Sequence, residues 1–204
     1  EELLYLFNDA DLVSLVFNRE YAPRVAAVCK DSPKLRHYVY VDDDSGADVS
    51  NFDGEAGLEY EATIAKYPSI RDFDERSGED IFIVYTGGTT GMPKGVMWQH
   101  EDLFFAGLQG GNPGGEPLTK AEELGQNVAA GMTIGLTFLP AAPFIHGNAE
   151  WTALIGWFGG GKIVAIPGPS FSAKLVCEAI EKEQVNTVTL VGDAMARPLA
   201  DEIK

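Results

Sequence analysis

Apolar positions along this chain fall into two alternating rhythms: short β-branched or aromatic runs, and longer stretches of helical period. The runs at 12–17 (LVSLVF), 37–41 (HYVYV), 81–85 (IFIVY), 132–139, 162–166 and 187–191 read as strands. The segments 20–30, 58–66, 100–108, 120–130, 148–158 and 172–184 read as helices. In the last of these, Leu175, Val176, Ala179 and Ile180 recur at i, i+1, i+4 and i+5, one apolar face at helical period. Strand, helix and strand over 12–41 make a β-α-β unit, which implies parallel strands joined by a right-handed crossover. Continued alternation predicts an α/β fold with doubly wound, mainly parallel sheet layers. Ligands in such sheets gather at the carboxyl ends of strands.

Two segments interrupt the pattern. An acidic connection runs from Asp42 to about Asp53, and 109–117 (QGGNPGGEP) is a glycine-rich loop with no core-forming residue. Residues 124–149 carry no Asp, Glu, Lys or Arg, which by length could span a membrane. Gly125, Gly131, Gly135, Pro140, Pro143 and Gly147 break any continuous helix there, so a buried strand with flanking loops is expected and no transmembrane segment.

Charge narrows the partners. The 204 residues carry a formal charge of −16, and 42–80 alone hold 13 acidic against 3 basic side chains. A nucleic-acid surface needs clustered Lys and Arg, so none is expected. The run Asp42-Asp43-Asp44-Ser45-Gly46 lacks the spacing and distal Glu of a calcium loop and reads as solvated surface. Two cysteines, Cys29 and Cys177, without a CxxC or Cys/His cluster, indicate neither a disulfide framework nor a zinc site. With no basic-then-apolar leader in this stretch, a cytoplasmic protein is expected.

Against this acidic background the stretch YTGGTTGMPKG, 85–95, contains no acidic residue. Gly87, Gly88, Gly91 and Gly95 let backbone N–H groups turn toward one point. The hydroxyls of Thr86, Thr89 and Thr90 and the ammonium of Lys94 add donors for an anion. A Walker A loop needs Gly-Lys followed by Ser or Thr and a helix. Here Lys94 stands between Pro93 and Gly95, and Val96, Met97 and Trp98 favour a strand, so the stretch reads as strand–loop–strand.

The run Thr86 to Gly95 resembles the signature of the adenylate-forming, AMP-binding superfamily, which includes acyl- and aryl-CoA synthetases, peptide-synthetase adenylation domains and luciferases. Pro143-Phe144-Ile145-His146-Gly147 is similar to the second core motif of that family. The continuation GVMWQHEDLFFAGL, Asn112-Pro113 and 191–194 (VGDA) look most like actinobacterial fatty-acyl and steroid-side-chain CoA ligases.

The resemblance implies an AMP-forming ligase that activates a carboxylic acid, fatty or sterol-derived, with ATP, Mg2+ and CoA. It assigns phosphate binding to Thr86, Gly87, Gly88, Thr89, Thr90, Gly91 and Lys94, and the acyl pocket to Phe144 and His146. It also implies that 1–204 is the central part of the AMP-binding N-terminal domain: 1–80 a first β-α-β region with the acidic connection, 81–100 the phosphate-loop hairpin, and 118–204 a second α/β region. The chain opens and closes inside apparent helices, and the family's Tyr-Gly-x-Thr-Glu segment, ribose-binding aspartate and C-terminal catalytic lysine have no counterpart here. No complete catalytic set or metal site is therefore expected, and this stretch alone is expected to be inactive. An adenylation domain that loads a carrier protein, and a non-catalytic nucleotide- or acyl-binding homologue, are the alternatives.

Residue by residue, plainer roles compete. Phe144 suits a core position, as do Trp151, Trp157 and Phe158, and His146 suits a ligand to a buried carbonyl. His100 suits the start of the next helix, Asp193 a helix cap, and 159–161 a helix end.

Overall fold

The computed structural model of the protein describes all of residues 1–204 except 88–90, 113, 114, 133, 134 and 169. The chain divides into two compact units, Glu1–Glu75 with Tyr85–Gly95, and Arg76–Val84 with Val96–Lys204.

The first unit holds helix α1 (Glu2–Asp9), strand β1 (Ser14–Asn18), helix α2 (Ala22–Ala26), strands β2 (His37–Val41) and β3 (Leu58–Glu59), and helix α3 (Tyr60–Ile64). β1 runs parallel to β2 in register from Ser14↔His37 to Asn18↔Val41, as the β-α-β pattern predicts. β3 adds to the free edge of β2 by pairing Val39 with Leu58, so the helix read at 58–66 starts two residues late. There the Glu59 carboxylate accepts from the backbone N–H groups of Glu61 and Ala62 and caps α3.

The helix read over 20–30 is shorter still. α2 spans five residues between two tight turns, Arg19–Tyr21 and Cys29–Asp31. Past Ala26 the backbone bonds shorten to i→i+3, from Val28 to Val25, Asp31 to Val28 and Ser32 to Cys29, and this tighter winding delivers Cys29 into the core.

That core joins Phe7, Phe17, Val25, Leu35 and Tyr38 to Phe52, a residue of the segment read as a solvated acidic connection. Phe52 is 1% exposed, stacks on Tyr38 at 4.8 Å and meets Phe17 edge-on at 5.7 Å. Arg19 Nε donates to the Ala47 carbonyl at 2.8 Å, so the connection is tied down at two points.

In the second unit, strand β6 (Thr137–Pro140) lies between β7 (Lys162–Ile163) and β8 (Thr187–Thr189), parallel to both. Helix α6 (Gly147–Phe158) links β6 to β7, and α7 (Ala173–Glu183) links β7 to β8. The two crossovers run in opposite directions from β6, so right-handed connections put α6 and α7 on opposite faces, the doubly wound arrangement. Leu139, Val164, Val176 and Leu199 form its buried core, the last from helix α8 (Asp193–Glu202). β6 takes up the end of the run read at 132–139, Gly135 with positive φ stands just before it, and residues 133 and 134 lie outside the described residues.

Strands β4 (Ile81–Thr86) and β5 (Lys94–Gln99) form a two-stranded hairpin. Helix α4 (His100–Asp102) follows and widens into an i→i+5 turn over Leu103–Gly107, closed by Leu108 N–H on the Leu103 carbonyl at 2.8 Å. The start of the glycine loop after it is buried although it has no side chain to offer. Gly110 and Gly111 are buried, and a Cβ on Gly111 would stand 2.6 Å from Cβ of Phe158. Helix α5 (Ala121–Ala129) precedes β6.

Candidate active site

At the hairpin tip, Thr86 closes β4 and Lys94 opens β5, so the two residues that end the phosphate-type motif are fixed by strand pairing. Thr86 Oγ1 donates to the Lys94 carbonyl at 3.4 Å across the neck of the loop. One residue earlier, the Tyr85 hydroxyl donates to Oδ2 of Asp9 in α1 at 2.7 Å. That hydrogen bond to a carboxylate, helped by partial burial, pushes the Tyr85 phenol up to about 12. Among the described residues nothing stands within 4 Å of where a Cβ would lie on Gly87 or Gly91. Lys94 is exposed, and among the described residues no carboxylate lies within ion-pair distance of it. In a chain of net charge −16, an exposed lysine without such a partner among the described residues has the chemistry to meet an anion. Gly88, Thr89 and Thr90 lie outside the described residues.

Phe144 and His146 follow the carboxyl end of the central strand β6, where an open α/β sheet places ligands. Phe144 is 43% exposed and not core; it lines a concavity of about 400 Å³ with Pro143, Ala165, Ile166, Phe171 and Val176, none of them ionisable. His146 occupies the N-cap of α6 with its imidazole exposed, and no hydrogen bond ties that side chain among the described residues. It satisfies no buried carbonyl.

A larger cavity, about 710 Å³, opens along the next turns of the same helix. α6 presents Glu150, Leu154 and Phe158 to it at a four-residue step, the spacing that aligns side chains in one stripe. Phe82, Leu103, Phe104, Phe105 and Leu108 supply the remaining apolar wall, and exposed Arg76, His100 and Lys120 stand on the rim. Volume and lining are those of a small-molecule pocket. Burial pushes the Glu150 carboxyl above its usual range.

The sequence reading passed over this cavity. Phe158, read as core, lines it; Trp157, also read as core, is 57% exposed; Trp151 packs edge-on against Trp98 at 5.4 Å. The available signal was the stripe from His146 through Glu150, Leu154 and Phe158. His100 does begin α4, its N–H bonding the Asp80 carbonyl at 2.8 Å, and Asp193 begins α8, where it pairs with Arg197 at 3.2 Å.

Residues 1–204, the whole chain, match the family described as AMP-binding enzyme. The protein belongs to that family. It is 42% identical over 205 residues to the 3-oxocholest-4-en-26-oate–CoA ligase of Rhodococcus rhodochrous, a match covering 100% of this chain and 36% of the relative. Over 207 residues it is 41% identical to a medium/long-chain-fatty-acid–CoA/3-oxocholest-4-en-26-oate–CoA ligase of Mycolicibacterium smegmatis, covering 99% of this chain and 36% of that one. The chain thus spans about a third of the length of these curated relatives. Its fold matches the crystal structure of an anthranilate–CoA ligase in complex with anthranoyl-AMP, with a TM-score of 0.67 and 23% identity over 92% of this chain and 32% of that one. An α/β fold of this AMP-binding family is therefore established for 1–204.

No helix among the described residues is long and apolar enough to cross a membrane. The described residues contain no group of three or more His, Cys, Asp or Glu that could hold a metal ion.

Proposed function

We propose that this chain carries the phosphate-binding and acyl-binding parts of an ATP-dependent, AMP-forming carboxylate–CoA ligase that acts on fatty or sterol-derived acids in the cytoplasm. The observation that carries this reading is Lys94, exposed at the end of the glycine–threonine motif and without an ion-pair partner among the described residues, in a chain that matches the AMP-binding family from end to end.

In the first step a carboxylate oxygen of the acid attacks the α-phosphorus of ATP. The bond from that phosphorus to the β-bridging oxygen breaks, pyrophosphate leaves, and an acyl-adenylate forms. Negative charge builds on the departing oxygen and is shared over the β- and γ-phosphates. Donors already held around those groups stabilise the charge where it develops and need no reorganisation as it does so. Lys94, Thr86, Thr89 and Thr90, with the backbone N–H groups of Gly87, Gly88 and Gly91, take this role. The Asp9–Tyr85 and Thr86–Lys94 hydrogen bonds hold the neck of the loop.

His146 and Phe144 border the carboxylate end of the acid. The imidazole, without a hydrogen-bond partner among the described residues, stands at the positive end of α6 and can hydrogen-bond or pair with a carboxylate. The acyl chain lies along the stripe that continues from His146, in the 710 Å³ cavity. In the second step the CoA sulfur attacks the acyl carbon, its proton is lost, and AMP leaves with one of the acid's original carboxylate oxygens.

That oxygen supplies the test. With an 18O-labelled acid as substrate for the intact protein, one 18O appears in AMP for each acyl-CoA formed. Label in inorganic phosphate, or formation of ADP, contradicts the reading.

A further inference from the structure

Glu150 is out of keeping with the cavity it lines. The other ionisable side chains there, Arg76, His100, Glu101, Lys120 and Glu122, are exposed at the rim, whereas Glu150 is half-buried among Leu103, Phe104, Leu154 and Phe158. Among the described residues its carboxyl has no hydrogen-bond or ion-pair partner, so cavity water is its only source of hydrogen bonds. Burial already disfavours its ionised form.

A plain hydrocarbon chain filling this space would strip that water and leave the carboxyl unsatisfied, the costly case for a buried polar group. A ligand that brings its own partner avoids the loss. A hydroxyl suits both states of the carboxyl, donating to the carboxylate and accepting from the acid. An ammonium would require two desolvated charges in an aromatic pocket and suits only the ionised state.

We infer that Glu150 is a specificity residue, which holds a hydroxyl group on the acyl chain inside the cavity and thereby selects hydroxylated over unsubstituted acids. This inference rests on the reading of the cavity as the acyl-chain site, and the experiment separates the two. Binding of hexadecanoate and of a series of monohydroxyhexadecanoates is measured by calorimetry on the intact protein and on its Glu150→Gln, Glu150→Leu and Leu154→Trp variants, each checked for fold by circular dichroism.

At least one hydroxy acid is expected to bind about tenfold or more tightly than hexadecanoate. Glu150→Leu should reverse the order, tightening hexadecanoate and weakening the hydroxy acid, while Glu150→Gln, which can still hydrogen-bond, keeps part of the preference. Leu154→Trp, which fills the cavity, should abolish binding of both. Should Leu154→Trp block both acids while wild type binds them equally, and Glu150→Leu change neither, the role of Glu150 is overturned and the cavity remains the chain site. Should Leu154→Trp leave both affinities intact, or should wild type bind neither acid, the acyl-site reading itself falls.

Discussion

The hydroxyl of Tyr85 shows how a single side chain anchors the stem of the phosphate-type loop. Its hydrogen bond to Asp9 is formed only while the phenol keeps its proton, and in the folded chain that proton is held up to about pH 12. A tyrosine in the unfolded chain titrates near 10. The sign follows: with the folded value raised, the contribution is fully present below about pH 10 and is lost as pH rises through 12. Because the pair is solvent-accessible, its worth is at most about 1 kcal/mol. Tyr85→Phe should therefore lower the denaturation midpoint slightly and evenly from neutral pH to about 10, with the gap to wild type closing between 10 and 12. Ultraviolet titration should show one late tyrosinate missing from the variant; an unchanged titration curve refutes the Tyr85–Asp9 bond. Nothing in the run Ile81 to Tyr85 announces this role, because the partner lies 76 positions earlier. The motif itself is contiguous in sequence, so its proposed phosphate role could be read there without knowing the fold.

At the scale of elements, strands with uniform apolar runs were read well: β2 occupies the predicted 37–41, and β4 and β5 flank the loop as expected. Helices α6 and α7 also fall within a residue of their predicted limits at most ends, because Ser172 caps one and Gln184 ends it in a left-handed turn. Misreadings cluster where tertiary contact overrides local pattern. Phe52 is surrounded in sequence by acidic residues yet completes an aromatic core, and Gly111 is buried because lacking a side chain lets Phe158 approach.

The turn from α6 into β7 follows the same logic. A Cβ on Gly161 would lie 2.7 Å from the Leu136 carbonyl oxygen and 3.0 Å from that of Gly156, both fixed by backbone. Gly161→Ala should thus force the end of α6 away from β6 and cost about 1–3 kcal/mol. Urea denaturation checks this, and a midpoint equal to wild type would show that the turn has slack.

Across the whole molecule, the alternation of apolar strands and amphipathic helices was enough to indicate a doubly wound α/β chain. It could not reveal how many strands share a sheet. Among the described residues the pairings form two three-stranded parallel sheets and one hairpin. Strand partners are chosen by long-range packing, which a periodic pattern does not encode. The candidate site divides the same way: the phosphate-type loop is contiguous and visible in sequence, whereas the cavity walls come from Phe82, Leu103 to Leu108 and one stripe of α6, and only folding collects them.

Lys94 on the hairpin, without an ion-pair partner among the described residues, is proposed to serve adenylation of a carboxylic acid. ATP–pyrophosphate exchange by the intact protein, across a panel that includes fatty and sterol-derived acids, measures that step alone. Exchange should depend on a fatty or sterol-derived acid and fall about tenfold or more in Lys94→Ala, as loss of a charged hydrogen-bond donor implies. Exchange supported by no acid, or exchange untouched by Lys94→Ala, would contradict that role.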